Sequence, residues 1–482
     1  MNGGKVSIKY QECNFRDKYL DEYTGEILPK PLIRNAIEDE LNYFNEKVWR
    51  LATKEEMEQI PGYILVRSRW VFCNKGDADE PDERARLVSC EINREGRNDA
   101  FAASTPPLEA KKILFAKYAT TRKMGKVPLR LSFVDIRKAY FNGIPERAIF
   151  MQVPKELGLP PGTVARQVRC VYGTRDAGKI WEDTYTQVLH NIGFVAGESN
   201  PCIFYHKVKD ISVVVHGDDF TVSGPERSLE WLKDFLKARW DVKATTLRQE
   251  SHQAKEVRVL NRSIGWAAQG IEYEADPRHR QVIIRELGLE GCTPVTTPFG
   301  PQEQGSLQDE GELLSGPEAT KFRAIVARLN YLAADRPDIQ WATKEVSKRM
   351  ANPRKPDWQL LKRLGRYLAG SARAVQTLEW QQGPIGLSTY VDSDWAGDKK
   401  TCKSTSGGMI FRGAHLLKSW STNQQIVALS SGEAELYAQT KGAAQTLGMI
   451  SMGADLGEQL NGTVYSDSSA AVSYTHLRAH ET

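Results

Sequence analysis

Three aspartates stand where a chain could hold paired divalent cations. Asp135 closes a segment in which Leu129, Leu131 and Phe133 alternate with polar neighbours, the pattern of a half-buried strand. Asp218 and Asp219 follow Gly217 between two β-rich arms that begin at Ile211 and end near Ser223, which is how a hairpin is written. Acids on separate strands can hold two hard cations about 4 Å apart, enough to activate an attacking hydroxyl and to stabilise a departing phosphate oxygen. Successive strand residues face opposite ways, so one of the pair is expected to join Asp135 directly, and Asp218 is our choice. The competing reading makes Asp218 and Asp219 ordinary turn acids, the commoner case for an isolated Asp-Asp.

The elements that must carry these acids can be sketched from periodicity. Residues 32–58 have helical spacing and lead into strand-like segments at Tyr63–Phe72 and around Arg86. Val164–Tyr172 reads as a strand and Gly178–Ile192 as a helix. Proline, glycine and polar residues dominate 296–318, an expected exposed linker. Helical pattern resumes at Ala319 and runs with breaks to Leu368. A last unit, from near Gly383, reads as strand, strand, helix, strand: Leu387–Asp392, Met409–Phe411, a helix from Glu433, and Thr463–Asp467.

At 482 residues, with 40% hydrophobic and 26% charged residues, the chain has the balance of a globular protein with several compact units. A net charge of +4 is too small to argue for a nucleic-acid partner, so the distribution matters more. Two basic stretches stand out: one from Lys111 through Lys112, Lys117 and Arg130 to Lys138, the other from Lys344 to Arg373. Solvated helix faces and phosphate contacts explain them equally well. Seven scattered cysteines without a Cys-x-x-Cys pair argue against a disulfide framework or a zinc site. With no apolar run of membrane-spanning length and no signal-peptide core, we expect no membrane partner and an intracellular location, a cytoplasmic particle or the nucleus. Gly173-x-x-x-x-Gly178-Lys179 imitates a phosphate-binding loop, but Ile180 stands where a magnesium-binding hydroxyl belongs, and an ATPase is not expected.

Longer blocks surround the three aspartates. Phe133 to Gly143 is similar to the block that holds the first catalytic aspartate of copia-type retrotransposon reverse transcriptases. Val171 to Trp181 resembles that family's Leu-Tyr-Gly-Leu-Lys-Gln-Ala-Pro-Arg-x-Trp, with Gly178 in place of proline. Arg69–Phe72 and Arg84–Val88 look like its fingers segment, and Arg323–Leu332, Arg336–Ile339 and Arg366–Leu368 like its connection. The resemblance implies Asp135, Asp218 and Asp219 as catalytic metal ligands. It also implies nucleotide contacts at Arg86 and Lys75, a sugar-facing aromatic at Tyr140 that favours deoxynucleotides, and Gly173 and Arg175 near template and nucleotide. One departure is that the family's hairpin is usually Tyr-Val-Asp-Asp, whereas this chain has His216-Gly217-Asp218-Asp219. Gly217 loosens the turn and removes a side chain that would pack beside the primer end.

The last unit resembles the family's RNase H domain. Asp392, Glu433 and Asp467 are its implied catalytic metal ligands, with Asp394 close enough to compete for the first place. Ser430-x-x-Glu433 is also a capping box, and the two roles of Glu433 are compatible. Residues 473–482 do not match the family and are expected to be a non-native tail, leaving the domain truncated and its hydrolysis weak or absent.

The expected fold class is an α+β right-hand polymerase with fingers, palm and thumb, followed by a truncated α/β RNase H-like domain. The expected units are a helical lead-in over 1–60, fingers and palm over 61–250, thumb and connection over 251–380, and the RNase H-like domain over 384–472. The expected function is RNA-directed DNA polymerisation with an attached ribonuclease H. It would use two-magnesium sites, with manganese as the substitute, and its partners would be an RNA template, a DNA primer, an RNA–DNA hybrid and deoxynucleoside triphosphates. The alternative is a decayed element copy that only binds nucleic acid.

Overall fold

In the computed structural model the described residues are 18–22, 25–76, 81–92, 101–121, 129–247, 254–300 and 311–477. The first layer is built on a helix, Lys30–Tyr43, whose Ile33, Ile37 and Leu41 form one fully buried stripe. Phe44 and Val48 extend that stripe through a π-helical turn, and the chain then enters the strand Trp49–Thr53. The helical pattern expected through residue 58 is therefore interrupted. A short second helix, Lys54–Glu58, starts at a capping box between Thr53 and Glu56. The stripe packs on a five-stranded sheet in the order Trp49–Thr53, Thr163–Gln167, Ile149–Gln152, Ile64–Asn74, Glu83–Cys90.

The second sheet carries the hairpin. Its order is Val242–Leu247, Leu129–Ile136, Asp219–Pro225, Ile211–His216, Ile203–His206, Val195–Ala196, antiparallel throughout. Alternation decides the two faces. Val134, Ile136, Val213, Val215, Phe220 and Val222 face the helices Ala177–Asn191 and Glu226–Lys237. Phe133 and Val214 lie on the opposite face, against the helix Leu108–Ala119. Every residue of this central helix from Ala110 to Lys117 is buried, including three lysines, so it crosses the interior of the molecule.

A three-stranded meander, Glu256–Val259, Arg262–Ala267 and Gly270–Ala275, takes Gln376–Glu379 as its fourth strand. The region expected to be a helical thumb and connection is thus partly β. Its helices, Pro277–Glu286, Gly316–Ala333, Pro337–Ser347 and Asp357–Gly370, share one apolar core. Of the expected linker at 296–318, residues 301–310 lie outside the described residues, and Gly316–Glu318 already belongs to a helix.

The C-terminal unit is a four-stranded sheet ordered His415–Asn423, Thr405–Arg412, Leu387–Asp394, Gly462–Tyr465, with the last strand parallel to its neighbour. Three strands precede the long helix Ser431–Asp455, where the sequence pattern suggested two; His415–Asn423 carries too many polar residues to read as a strand. The helix lies close on the sheet because Gly442 has no Cβ, and one built there would come within 2.5 Å of Val391. A further helix runs Ser469–Leu477, into the expected tail, whose residues 478–482 lie outside the described residues. Among the described residues no helix is long and apolar enough to cross a membrane.

The three central lysines are almost wholly buried: Lys111, Lys112 and Lys117 are 3%, 4% and 1% exposed, which removes them as phosphate contacts on the folded surface. Lys112 and Arg262 share the buried carboxylate of Asp335, at 3.1 and 2.7 Å, and Tyr273 donates to it at 2.9 Å. In the second basic stretch Lys348 pairs with Glu345 and Asp398, Arg373 with Glu274, and Arg366 donates to the Thr293 carbonyl. Several cations that looked available to a polyanion therefore hold the fold together.

Candidate active site

The first acidic centre lies where the two N-terminal sheets meet. Asp219 is the direct cross-strand partner of Asp135, and Asp218 sits in the two-residue turn beside Gly217, whose φ is +64°. That turn geometry is open to glycine without strain. Asp135 and Asp218 together line a cavity of about 410 Å³ with Lys75, Arg86, Arg137, Tyr172 and Lys243. Of the residues expected to bind nucleotide, Lys75 and Arg86 are therefore in this cavity, and the Arg86 guanidinium rests on the Tyr172 ring at 5.6 Å. Tyr140 meets the edge of the same ring at 4.8 Å and lines an adjoining cavity with Gly178, Trp181, His216 and the hairpin aspartates.

Gly173 and Arg175 line neither cavity. Gly173 has a φ of +89°, and a Cβ there would strike the Ser89 carbonyl at 1.9 Å, so its glycine is required by backbone packing. Arg175 stacks over Phe101 at 5.4 Å, and its backbone N–H donates to Glu91.

Burial and the neighbouring carboxylate of Asp218 together raise Asp135 from its ordinary value and push Asp219 up to about 6. Acids crowded in this way are relieved by a divalent cation, and all-oxygen donors suit a hard one. The buried Lys111 is the largest cationic influence on Asp219 and is itself pushed down to about 8 by burial; its Nζ has no hydrogen-bond partner. Sequence reasoning had placed this lysine at a surface, because a lysine inside a helix gives no sign of which face will be covered.

The second centre corrects the sequence reading. Asp392, Glu435 and Asp467 offer ligand atoms that all lie within 4.8 Å of one another. Glu433 is elsewhere: its carboxylate accepts from the Leu429 N–H at 2.7 Å and from the Tyr437 hydroxyl at 3.2 Å, while its own N–H donates to Ser430 Oγ. It works as a cap. Glu435, two positions on, has turned to the sheet side of the helix and is 9% exposed. Ser393 donates to Glu435 Oε1 from both its N–H and its hydroxyl, whereas Oε2 is buried without a partner. A buried carboxylate oxygen left bare beside two aspartates is the donor set a divalent cation fits. The signal was in the sequence: the inward stripe Ala438, Gly442, Thr446, Met449 and Gly453 extrapolates back to Glu435, not to Glu433. Asp394 is not part of the cluster.

The fold is of the right-hand polymerase kind. Residues 47–300 match the family described as Reverse transcriptase (RNA-dependent DNA polymerase), and the chain belongs to it. It is 29% identical over 438 residues to the retrovirus-related Pol polyprotein from transposon RE1 of Arabidopsis thaliana, covering 89% of this chain and 28% of that protein. To the corresponding polyprotein from transposon TNT 1-94 of Nicotiana tabacum it is 25% identical, covering 94% of this chain and 34% of that one. The chain thus spans about a third of these copia-type polyproteins. Its fold is similar to that of the foamy viral protease-reverse transcriptase solved with double-stranded DNA, at 14% identity and a TM-score of 0.50, covering 96% of this chain and 81% of that one.

Proposed function

We propose that this chain extends a DNA primer along an RNA template, and that its C-terminal unit is an RNase H-like nuclease acting on the RNA of the resulting hybrid. The observation that carries the first half is the meeting of Asp135 and Asp218 with Lys75 and Arg86 in one cavity between the two N-terminal sheets. Carboxylates and cations lining one cavity suit a nucleoside triphosphate, whose reacting phosphorus must face metal while its outer phosphates face arginine and lysine. Tyr140, fixed by Tyr172, closes the sugar side and selects against a 2′-hydroxyl. Paired magnesium ions, when bound, would supply the charge that activates the primer hydroxyl and stabilises pyrophosphate.

Support for the second half is the bare buried oxygen of Glu435 between Asp392 and Asp467. There, Ser393 holds Glu435 in place and the exposed aspartates leave the site open to a duplex.

The test is primer extension on an RNA template with magnesium, beside an Asp218→Asn control. Extension that disappears in the control is the expected result. A folded protein that binds template in a salt-sensitive manner but extends nothing would replace this reading with that of a nucleic-acid binder, and would implicate the His216-Gly217 turn.

A further inference from the structure

The long helix Ser431–Asp455 carries Glu435 at one end, and its other end meets the sheet that bears the acidic hairpin, the palm of the polymerase reading. The Asp455 carboxylate accepts the N–H groups of Glu198, Ser199 and Asn200 at 3.0, 3.1 and 3.1 Å, and also the Ser199 hydroxyl. Gly197 makes room for it, since a Cβ there would lie 2.4 Å from the carboxylate. One residue on, the Leu456 carbonyl receives Lys117 Nζ at 2.6 Å and the Ser212 hydroxyl at 2.9 Å, and Lys117 also donates to Ser212 at 2.7 Å. Gly457 then turns the chain at φ +78°, its backbone against the Tyr205 ring. Ser212 and Tyr205 belong to the palm strands Ile211–His216 and Ile203–His206, the first of which leads directly into the acidic hairpin.

A lysine 1% exposed is costly to bury, and the carbonyl end of a long helix is one of the few places that repays it, because its last acceptors are unpaired and carry partial negative charge. The rest of the boundary is equally committed. Ala110, Ile113 and Leu114 of the central helix share one apolar cluster with Val391, Ile410, Trp420 and Met449 of the C-terminal unit. The chain joining the two regions pairs as strands on the way, Gln376–Glu379 with the meander and Gln381–Gln382 with Thr120–Thr121, so no slack tether separates them.

We infer that Asp455, Leu456 and Lys117 form a latch that fixes the C-terminal unit on the palm and holds the two acidic centres at a single separation. Asp455 and Lys117 are then positioning residues: they touch no reacting atom, but they set how far behind the primer end a hybrid is presented to Glu435. The consequence for hybrids rests on the nuclease reading above; the latch itself does not.

Two measurements separate them. Nitroxide labels on Cys402 and on Lys237→Cys, both exposed, report the distance across the boundary in a protein whose Cys13, Cys90 and Cys292 are replaced by serine. The unmutated latch is expected to give one narrow distance peak, and Asp455→Ala and Lys117→Met a broad or split one. Glu433→Ala, which weakens the same helix at its far end, should keep the narrow peak and so exclude mere destabilisation. If Lys117→Met fails to fold, Asp455→Ala decides alone, since its hydrogen bonds lie at the protein's rim. An unchanged narrow peak in the folded latch variants overturns the latch. On a primed RNA template, the intact protein should leave RNA fragments of one length counted from the primer end, and Asp455→Ala a spread of lengths. Absence of any cleavage by the intact protein would bring down the nuclease reading and leave the distance measurement to judge the latch.

Discussion

The two acidic centres are assembled in opposite ways. In the first, two aspartates are adjacent in sequence and the third is brought opposite them by strand register, Asp219 against Asp135, so one sheet places all three. The second gathers Asp392 from a strand, Glu435 from a helix and Asp467 from the segment after another strand. Their surroundings differ too. Lysines and arginines line or underlie the first, in a cavity between two sheets, while in the second two exposed aspartates flank a single buried glutamate. A site set by strand register tolerates little rearrangement, whereas a site that draws on a helix depends on where that helix is docked. The lesson is that the first centre should be sensitive to charge and the second to position.

The largest effect expected is at the first centre. Asp135→Asn should lower primer extension by at least about 10²–10³-fold while circular dichroism stays unchanged, since the substitution keeps the shape and removes only the charge a metal needs. Retention of activity within a few-fold would make the register pairing of Asp135 and Asp219 merely structural.

At the second centre the comparison turns on two glutamates two residues apart. Glu435→Gln is expected to reduce hybrid cleavage about 10²-fold or more at unchanged stability. Glu433→Ala should keep cleavage and cost about 1 kcal/mol, because it removes the side chain that caps the helix start. The opposite pattern, read from cleavage rates and thermal melts of both variants, would return the ligand role to Glu433.

Proton linkage gives a third contrast, confined to the first centre. A carboxyl raised to about 6 in the folded state is favoured when protonated, so its contribution is intact below about pH 4 and is lost as pH rises through 6. Relative to Asp219→Asn, the metal-free protein should therefore lose stability over that window, on the order of 2–3 kcal/mol in total. Magnesium should flatten the difference. Melting temperature against pH, with and without the cation, measures both.

The smallest effect concerns Lys111. Its buried charge favours the ionised form of Asp219, so Lys111→Met should move the midpoint of that pH window upward. Overall stability should change little, because the substitution also removes an ammonium that has no hydrogen-bond partner. An unmoved midpoint in the same melts would show that Lys111 does not sense the hairpin.

Much of the first centre was legible because its information is local. Alternation of Leu129, Leu131 and Phe133 fixes which way Asp135 points, and a Gly-Asp-Asp turn between β-rich arms names its own hairpin. Glu433 was favoured at the second centre because a capping signal and an acidic motif coincide at Ser430-x-x-Glu433, and choosing between neighbours on a helix needs the face that docks. The strand His415–Asn423 was missed because its side chains are covered by other parts of the chain and not by their own hydrophobicity: Lys418 pairs with Glu109, and the Ser419 carbonyl accepts from Gln340.

By itself, then, the sequence determined the family and the hairpin, and it grouped Asp135, Asp218 and Asp219, since the family's blocks and the turn are each read from contiguous residues. Only the tertiary structure decided that Lys111, Lys112 and Lys117 are interior, that Glu435 is the third acid of the second centre, and that Asp455 fastens one unit to the other. Burial and pairing at those positions are properties of segments tens to hundreds of residues apart, and no local pattern encodes which of them will meet.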